Sequence, residues 1–167
     1  MDQIAKLLLS EESAREILRL KDLYPHRESA VLMVLHVVHR QFGYIDKNAL
    51  KEAAQIMELP FIDFEQSASF YTLFPRTEVG KYHIQVCRTL SCYLNGAEEL
   101  TSFLKSKLGI EIGQTTQDKI FSLVEVECLG SCGYGPMMQV NDTYYEHLTR
   151  AKVEKILDEL REKAQHG

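Results

Sequence analysis

Four cysteines arranged in two pairs constrain the fold of this 167-residue chain more than any other feature. Cys87 and Cys92 have four residues between them, Cys128 and Cys132 have three, and the sequence contains no other cysteine. Two pairs at such spacings predict a single site shared by all four thiols. Four scattered, buried thiols are the alternative, because free cysteine is often buried as a small hydrophobic residue.

The spacing within the pairs indicates what the site holds. Structural zinc is usually bound by C-x2-C turns, and a dithiol oxidoreductase needs C-x-x-C, and neither spacing occurs here. Thiolates are soft ligands that suit iron, and long glycine-rich loops can enclose a cluster wider than one ion. An iron-sulfur cluster is therefore the best fit. A four-cysteine zinc site stays open as an alternative, because spacing alone does not identify the metal.

Compartment and partner class follow from the rest of the sequence. The first fifteen residues lack a positively charged segment followed by a continuous apolar run and a cleavage site, so we expect an environment that keeps thiols reduced. The longest apolar run, 30–35, is too short to cross a membrane. The net charge of −5 is spread along the chain without a basic patch, which favours a protein or small-molecule partner over nucleic acid.

The first half of the sequence predicts a helical N-terminal domain covering residues 1–78. Ser10 and Asp46 are suitable N-cap residues, and Asp63 with Gln66 resembles a capping box. The segment from Glu28 is apolar on nearly every side, which is typical of the buried helix at the centre of a small bundle. The predicted helices cover residues 10–24, 28–42, 46–59 and 63–74.

The second half, residues 79–167, changes to an alternating pattern that predicts strands. One strand ends at Cys87 and another, at 120–127, leads directly to Cys128. A helix capped by Asn95 lies between them, and a hairpin and a final helix follow. The order β-α-β-β-β-α is compatible with a thioredoxin-like sandwich, in which the two cysteine pairs would converge at one end of the sheet. The predicted fold class is thus α+β.

Specific motifs in the second half resemble a known family. Residues 118–136, DKIFSLVEVECLGSCGYGP, look like the signature of the thioredoxin-like 2Fe-2S subunit of respiratory complex I, the NADH:quinone oxidoreductase. The loop from Cys87 to Cys92, CRTLSC, is similar to that family's first ligand loop, and 42–45 and 68–71 resemble its N-terminal motifs. The matching positions in the signature are Asp118, Phe121, Ser122, Cys128, Leu129, Gly130, Cys132, Gly135 and Pro136.

The resemblance implies an electron-transfer subunit of an oxidoreductase, without catalytic residues of its own. It implies one 2Fe-2S cluster bound by Cys87, Cys92, Cys128 and Cys132. FMN and NADH would be bound by a flavoprotein partner, since this sequence has neither a G-x-G-x-x-G turn nor a P-loop. It also implies a cytoplasmic location, peripheral at the inner face of the membrane, within a larger respiratory assembly.

Two alternatives and one hypothesis about the cluster remain at this point. The chain could be the equivalent subunit of a soluble NAD-linked hydrogenase or formate dehydrogenase, or a zinc-stabilised thioredoxin-like adaptor without a redox role. For a 2Fe-2S cluster, the charges of Glu125 and Glu127 would disfavour reduction and lower its potential. His36 and His39 are interpreted as a polar strip on a buried helix and not as ligands.

Overall fold

The computed structural model describes residues 8–166, which form two compact units with the boundary between Glu78 and Val79. The first unit is helical, and the second contains a five-stranded sheet with helices. The predicted α+β fold class is therefore confirmed. Among the described helices, none is long and apolar enough to cross a membrane.

The helices of the first unit begin where the sequence offers caps. The Ser10 hydroxyl accepts a hydrogen bond from the Ser13 amide at 3.1 Å, and the Asp46 carboxylate accepts from the amides of Asn48 and Ala49 at 2.9 Å each. Gly43, at φ +76°, ends a helix in the left-handed conformation that glycine adopts without strain. The helices are α1 (Glu11–Leu23), α2 (Val31–Phe42, preceded by a 3-10 turn at Arg27–Ala30), α3 (Lys47–Met57) and α4 (Phe61–Phe70).

Helix α2 lies at the centre of the first unit, as its apolar sequence predicts. Val34, Leu35 and Val38 are completely buried, and the apolar cluster around them includes Ile17 of α1 and Phe64 of α4. This cluster contains no residue of the second unit, so the helical unit has a hydrophobic core of its own.

The predicted bounds of the fourth helix were wrong at both ends. Helix α4 begins directly after Pro60, whose fixed φ suits a helix start, so Asp63 lies in the first turn and caps nothing. The helix ends at Phe70, after which the chain turns back and buries Phe74. Phe70 at the end of the helix is 77% exposed, whereas Phe74 is only 2% exposed.

The buried ring of Phe74 gives the polar strip on α2 a packing role. The rings of His36 and His39 pack edge-on against Phe74, at centroid distances of 5.0 and 5.9 Å. This contact agrees with the interpretation of the two histidines as packing residues.

The sheet of the second unit has the strand order β2-β3-β1-β4-β5. Strands β1 and β3 are parallel neighbours, with Cys87 aligned to Val126, and the other pairs are antiparallel. The predicted hairpin is confirmed, with Asn141 at φ +50° in its two-residue turn. The strands are β1 (Tyr82–Cys87), β2 (Gln114–Thr115), β3 (Phe121–Val126), β4 (Met138–Val140) and β5 (Thr143–Tyr145); the helices are α5 (Leu90–Leu94), α6 (Ala97–Leu108) and α7 (Arg150–His166).

Strand β1 is buried on both faces, although its alternating sequence predicts a half-buried strand. Ile84 and Val86 pack in an apolar cluster that also contains residues of α6 and α7. On the opposite face His83 is 8% exposed, and its Nδ1 lies 2.8 Å from the Ser122 hydroxyl. Polar residues thus occupy buried positions on β1, because this strand lies in the middle of the sheet.

The entry to β1 is packed very closely against β3. A Cβ atom on Gly80 would lie 2.7 Å from the Phe121 carbonyl carbon, which is closer than real Cβ contacts permit. The next two amides, of Lys81 and Tyr82, donate hydrogen bonds to the carbonyls of Lys119 and Ile120 at 2.9 and 2.8 Å. A glycine is therefore required where the chain enters the sheet.

Asp118 organises the turn before β3, and its charge is expected to stabilise the second unit. It accepts hydrogen bonds from the Thr116 hydroxyl at 2.5 Å and the Ile120 amide at 3.0 Å, and these contacts, with Arg161 nearby, lower the pKa of Asp118. Because this pKa is lower in the folded chain than in the unfolded one, the stabilisation is present above about pH 4 and is lost as the pH falls through the folded-state value.

We expect Asp118→Asn to lower the free energy of unfolding at pH 7 by up to about 1 kcal/mol, since the site is half exposed. Urea unfolding followed by circular dichroism at pH 7 and pH 3 measures the effect, and the difference from wild type should be smaller at pH 3 than at pH 7. Asp142→Asn, at the exposed β4–β5 turn, is the matched control and should change little. An equal loss at both pH values would show that packing, and not charge, is responsible.

Candidate metal centre

The sheet brings the two cysteine pairs to one edge. Strand β1 ends at Cys87, and its parallel neighbour β3 ends at Val126, two residues before Cys128. Because the carboxyl ends of parallel strands lie at the same edge of a sheet, both cysteine loops leave from adjacent positions. The Cys87 thiol lies 3.6 Å from the Glu127 carbonyl, within the segment that carries the second pair.

The first pair is buried. Cys87 is 2% exposed and Cys92 1%, and they pack with Ala97 and Met137, with half-buried Leu129 beside them. Cys92 reaches this position on α5, a short helix inside the first cysteine loop that the sequence pattern did not predict. The Thr89 hydroxyl lies 3.2 Å from the Cys87 sulfur. The first two thiols thus lie in an apolar pocket that excludes water.

The second pair lies on the surface, in a loop held by hydrogen bonds from both sides. Cys128 and Cys132 are both exposed. The Ser91 hydroxyl of α5 donates to the Cys132 carbonyl at 2.6 Å, and the Tyr144 hydroxyl of β5 donates to the Leu129 carbonyl at 2.9 Å. The side chains that fix this loop therefore come from the first cysteine loop and from the hairpin.

Two glycines allow the main chain to approach the sulfurs. Gly130 adopts φ +79°, and its amide lies 3.4 Å from the Cys128 sulfur as a donor. At Gly135 an added Cβ would lie 3.4 Å from both the Cα and the sulfur of Cys92. A larger residue at Gly130 would be strained by the positive φ, and a side chain at Gly135 would lie directly against Cys92.

The two buried thiols differ in acidity. Burial acts to raise the pKa of Cys87, but hydrogen bonds from the Thr89 hydroxyl and from the backbone amides of Leu129 and Thr89 prevail, and the net shift is downward. Burial, together with the interaction with Cys87, raises the pKa of Cys92 to about 11. Binding of a metal by Cys92 must therefore release a proton.

The donor set suits an iron-sulfur cluster. All four cysteines are free thiols, and backbone amides act as donors toward the sulfurs of Cys87, Cys92 and Cys128. Such N–H donors stabilise the negative charge that thiolates and sulfides carry in a cluster. Within residues 8–166 no three Cys, His, Asp or Glu side chains are grouped closely enough to hold a single metal ion. A 2Fe-2S cluster does not need three side chains around one ion, because each of its two irons takes two thiolates.

One ion pair beside the thiols was missing from the sequence-based prediction. Arg88 follows Cys87 directly, Glu127 precedes Cys128, and the Arg88 guanidinium donates from both Nε, at 3.1 Å, and Nη2 to the same oxygen of Glu127. The hydrogen bond and charge of Glu127, and the charge of Glu125, raise the pKa of Arg88. The available signal was the opposite charge of two residues that adjoin cysteines just after neighbouring strands.

Comparison with known proteins gives the family. The family described as thioredoxin-like [2Fe-2S] ferredoxin matches residues 17–161. One NADH-quinone oxidoreductase subunit of Rickettsia felis, designated E, is 42% identical over 142 residues, which cover 84% of this chain and 85% of that protein. The mitochondrial NADH dehydrogenase [ubiquinone] flavoprotein 2 of Dictyostelium discoideum is 40% identical over 155 residues, 91% of this chain and 63% of that protein.

A solved structure has the same fold. The crystal structure of an NAD+-reducing [NiFe]-hydrogenase in its air-oxidized state aligns with a TM-score of 0.69 and 23% sequence identity, over 80% of this chain and 23% of that chain. The fold, the position of the two cysteine loops after adjacent parallel strands and the match over residues 17–161 agree with one another. This chain belongs to the thioredoxin-like [2Fe-2S] ferredoxin family.

Proposed function

We propose that this chain is an electron-transfer subunit of an NADH:quinone oxidoreductase and binds one 2Fe-2S cluster through Cys87, Cys92, Cys128 and Cys132. The observation that carries the proposal is the convergence of both cysteine pairs at one sheet edge, in a chain whose family is defined by such a cluster. The names of its relatives, an NADH-quinone oxidoreductase subunit and an NADH dehydrogenase flavoprotein, support the enzyme class.

In this proposal the residues of this chain bind the cluster and shield it from water. When bound, the cluster supplies one-electron oxidation and reduction. The thiolates of the four cysteines hold it, and the Gly130 amide donates to the Cys128 sulfur. Met137 and Leu129 exclude water from the buried pair. None of these side chains has to accept or donate a proton in a reaction, so the chain acts as a carrier inside a larger enzyme.

The partner in this proposal is a flavoprotein subunit that holds FMN and binds NADH, and the helical unit docks on it. Support comes from the apolar surface at the end of α4, where Phe70, Tyr71 and Leu73 are 77%, 42% and 43% exposed. Exposed aromatic residues grouped in this way are typical of protein interfaces. Assembly with such a partner would place the chain peripherally at the inner face of the membrane.

Phe70→Glu tests this docking surface in the full chain. Because large aromatic side chains often dominate binding energy, we expect the affinity for the flavoprotein subunit to fall at least about tenfold, while the fold and the cluster spectrum stay unchanged. Copurification and titration calorimetry with the flavoprotein measure the effect. Ile112→Glu, at an exposed apolar residue of the second unit, is the control. Unchanged binding in Phe70→Glu would remove the α4 end from the interface.

Spectroscopy of the anaerobically purified protein tests the function itself. We expect two irons and two sulfides per chain, no EPR signal as isolated, and an S = 1/2 signal after reduction with dithionite. Iron, sulfide and zinc assays accompany the spectra. A colourless zinc protein in which cluster reconstitution fails would contradict the carrier role and support the zinc-stabilised adaptor.

A further inference from the structure

The Arg88–Glu127 ion pair adjoins both cysteine loops. Arg88 follows Cys87, the last residue of β1. Glu127 lies between Val126, the last residue of β3, and Cys128. The side chains are 54% and 69% exposed, so they border the surface beside the exposed pair. No other ion pair among the described residues includes a neighbour of a cysteine.

We propose that Arg88 and Glu127 form a charge-balancing pair that sets the reduction potential of the cluster. The proposal rests on the proposed function, because it requires a redox-active cluster on the four cysteines. Arg88 and Glu127 are positioning residues in this role: they touch no reacting atom and act through their charge.

The sign of each effect follows from electrostatics. Reduction adds one electron to the site, so a nearby carboxylate disfavours it and a nearby guanidinium favours it. Glu127 alone would therefore lower the potential, as its sequence position suggests. In the structure both donors of Arg88 contact its carboxylate, and the two opposite charges largely cancel at the cluster. Glu125, which also influences Arg88, lies outside this contact.

A purely structural role for the pair is the competing explanation. The strand ends are already joined by the backbone, because the Arg88 amide donates to the Val126 carbonyl at 3.0 Å. An exposed ion pair contributes little to stability. Removing the side chains therefore leaves the strand ends in place, whereas it leaves an unbalanced charge beside the cluster.

The experiment is an EPR-monitored redox titration of the full chain with its cluster, at low ionic strength. We expect Glu127→Gln to raise the midpoint potential and Arg88→Gln to lower it, and the double variant to return close to wild type. Each single change should alter the reduced-to-oxidised ratio at the wild-type midpoint about threefold to tenfold, which is about 28 to 59 mV for a one-electron couple. Both shifts should shrink at 1 M salt, because exposed charges are screened.

Two further variants separate charge from geometry. Arg88→Lys keeps the charge and loses the two-donor contact, so its potential should stay near that of wild type. Glu154→Gln removes the carboxylate that pairs with Lys107 between α6 and α7, and should not change the potential. If one of Arg88→Gln and Glu127→Gln fails to assemble a cluster, the other decides the matter: a shift of the expected sign that shrinks at 1 M salt supports the proposal, and an unchanged potential overturns it.

Several results would overturn the charge-balancing role. They are an absence of any shift in the single variants, shifts of both in the same direction, and shifts that persist at high salt. Failure of the proposed function looks different, because wild-type protein would then show no reducible cluster signal at all.

Discussion

Replacing Cys92 by alanine is expected to abolish cluster binding. Cys92 is 1% exposed, and its neighbours in the buried group are Cys87, which the proposed function already uses as a ligand, and Ala97, Met137 and Leu129, which offer no thiol. An iron that loses one of its two protein thiolates has no buried alternative ligand, and water does not reach this position. We expect iron to fall below about a tenth of the wild-type content and the EPR signal of reduced protein to disappear.

The fold of the Cys92→Ala variant should survive, which makes the measurement clear. The sheet core of the second unit consists of residues such as Ile84, Leu123 and Leu157, in an apolar cluster separate from the cysteines. Circular dichroism should therefore remain close to that of the wild-type apoprotein. Ser91→Ala is the matched control: it removes the hydrogen bond to the Cys132 carbonyl but no thiol, and it should keep the cluster. Two irons per chain in Cys92→Ala would exclude Cys92 as a ligand.

The second large effect is expected in the helical unit, at Phe64. The Phe64 side chain extends from α4 and is completely buried in the apolar cluster of the first unit. Truncation to alanine leaves a cavity and removes its apolar contacts. Such a change typically costs about 3–5 kcal/mol, which is comparable to the whole stability of a unit of this size. We expect Phe64→Ala to unfold the first unit partly or completely at 25 °C.

The effect of Phe64→Ala on the second unit shows whether the two units have independent hydrophobic cores. Because Phe64 belongs to an apolar cluster that contains no residue after Phe74, the EPR signal of the reduced cluster should persist in Phe64→Ala while flavoprotein binding is lost. Native-state hydrogen exchange would report the unfolded helices, and EPR the intact cluster. Phe61→Ala, at a half-buried residue on the same helix, is the milder control. Loss of the cluster together with the helices would show that the two units are stable only jointly.

Features that depend on neighbouring residues were predictable from the sequence. The caps at Ser10 and Asp46, the stop at Gly43 and the strand leading to Cys87 rest on contacts within a few residues, and the structure contains all of them. The convergence of the two cysteine pairs needed more, namely the assumption that β1 and β3 are parallel neighbours. The element order β-α-β-β-β-α made that assumption reasonable, since it is compatible with a thioredoxin-like sandwich.

Features that depend on distant contacts were not predictable. Asn95 has the sequence of a cap for α6, but it ends α5, and its side chain donates to the Ser91 carbonyl at 2.7 Å. Strand β2 has two residues, too few for any alternation, and forms only because β3 offers a free edge. The Arg88–Glu127 pair joins residues 39 positions apart. Asn95 thus has a second local use at the end of α5, β2 depends on the edge of β3, and the partner in the ion pair lies far outside the window in which a sequence pattern can be recognised.

The close packing at Gly80 has a mechanical consequence. Any pull transmitted along the chain from the helical unit enters the sheet at this residue, where the first hydrogen bonds to β3 are already made by Lys81 and Tyr82. The force would act along β1, in shear against the backbone hydrogen bonds that join β1 to β3. Several of these hydrogen bonds would have to break before the force reached Cys87 at the other end of the strand. Strand β1 would thus keep tension on the helical unit from reaching the cysteines.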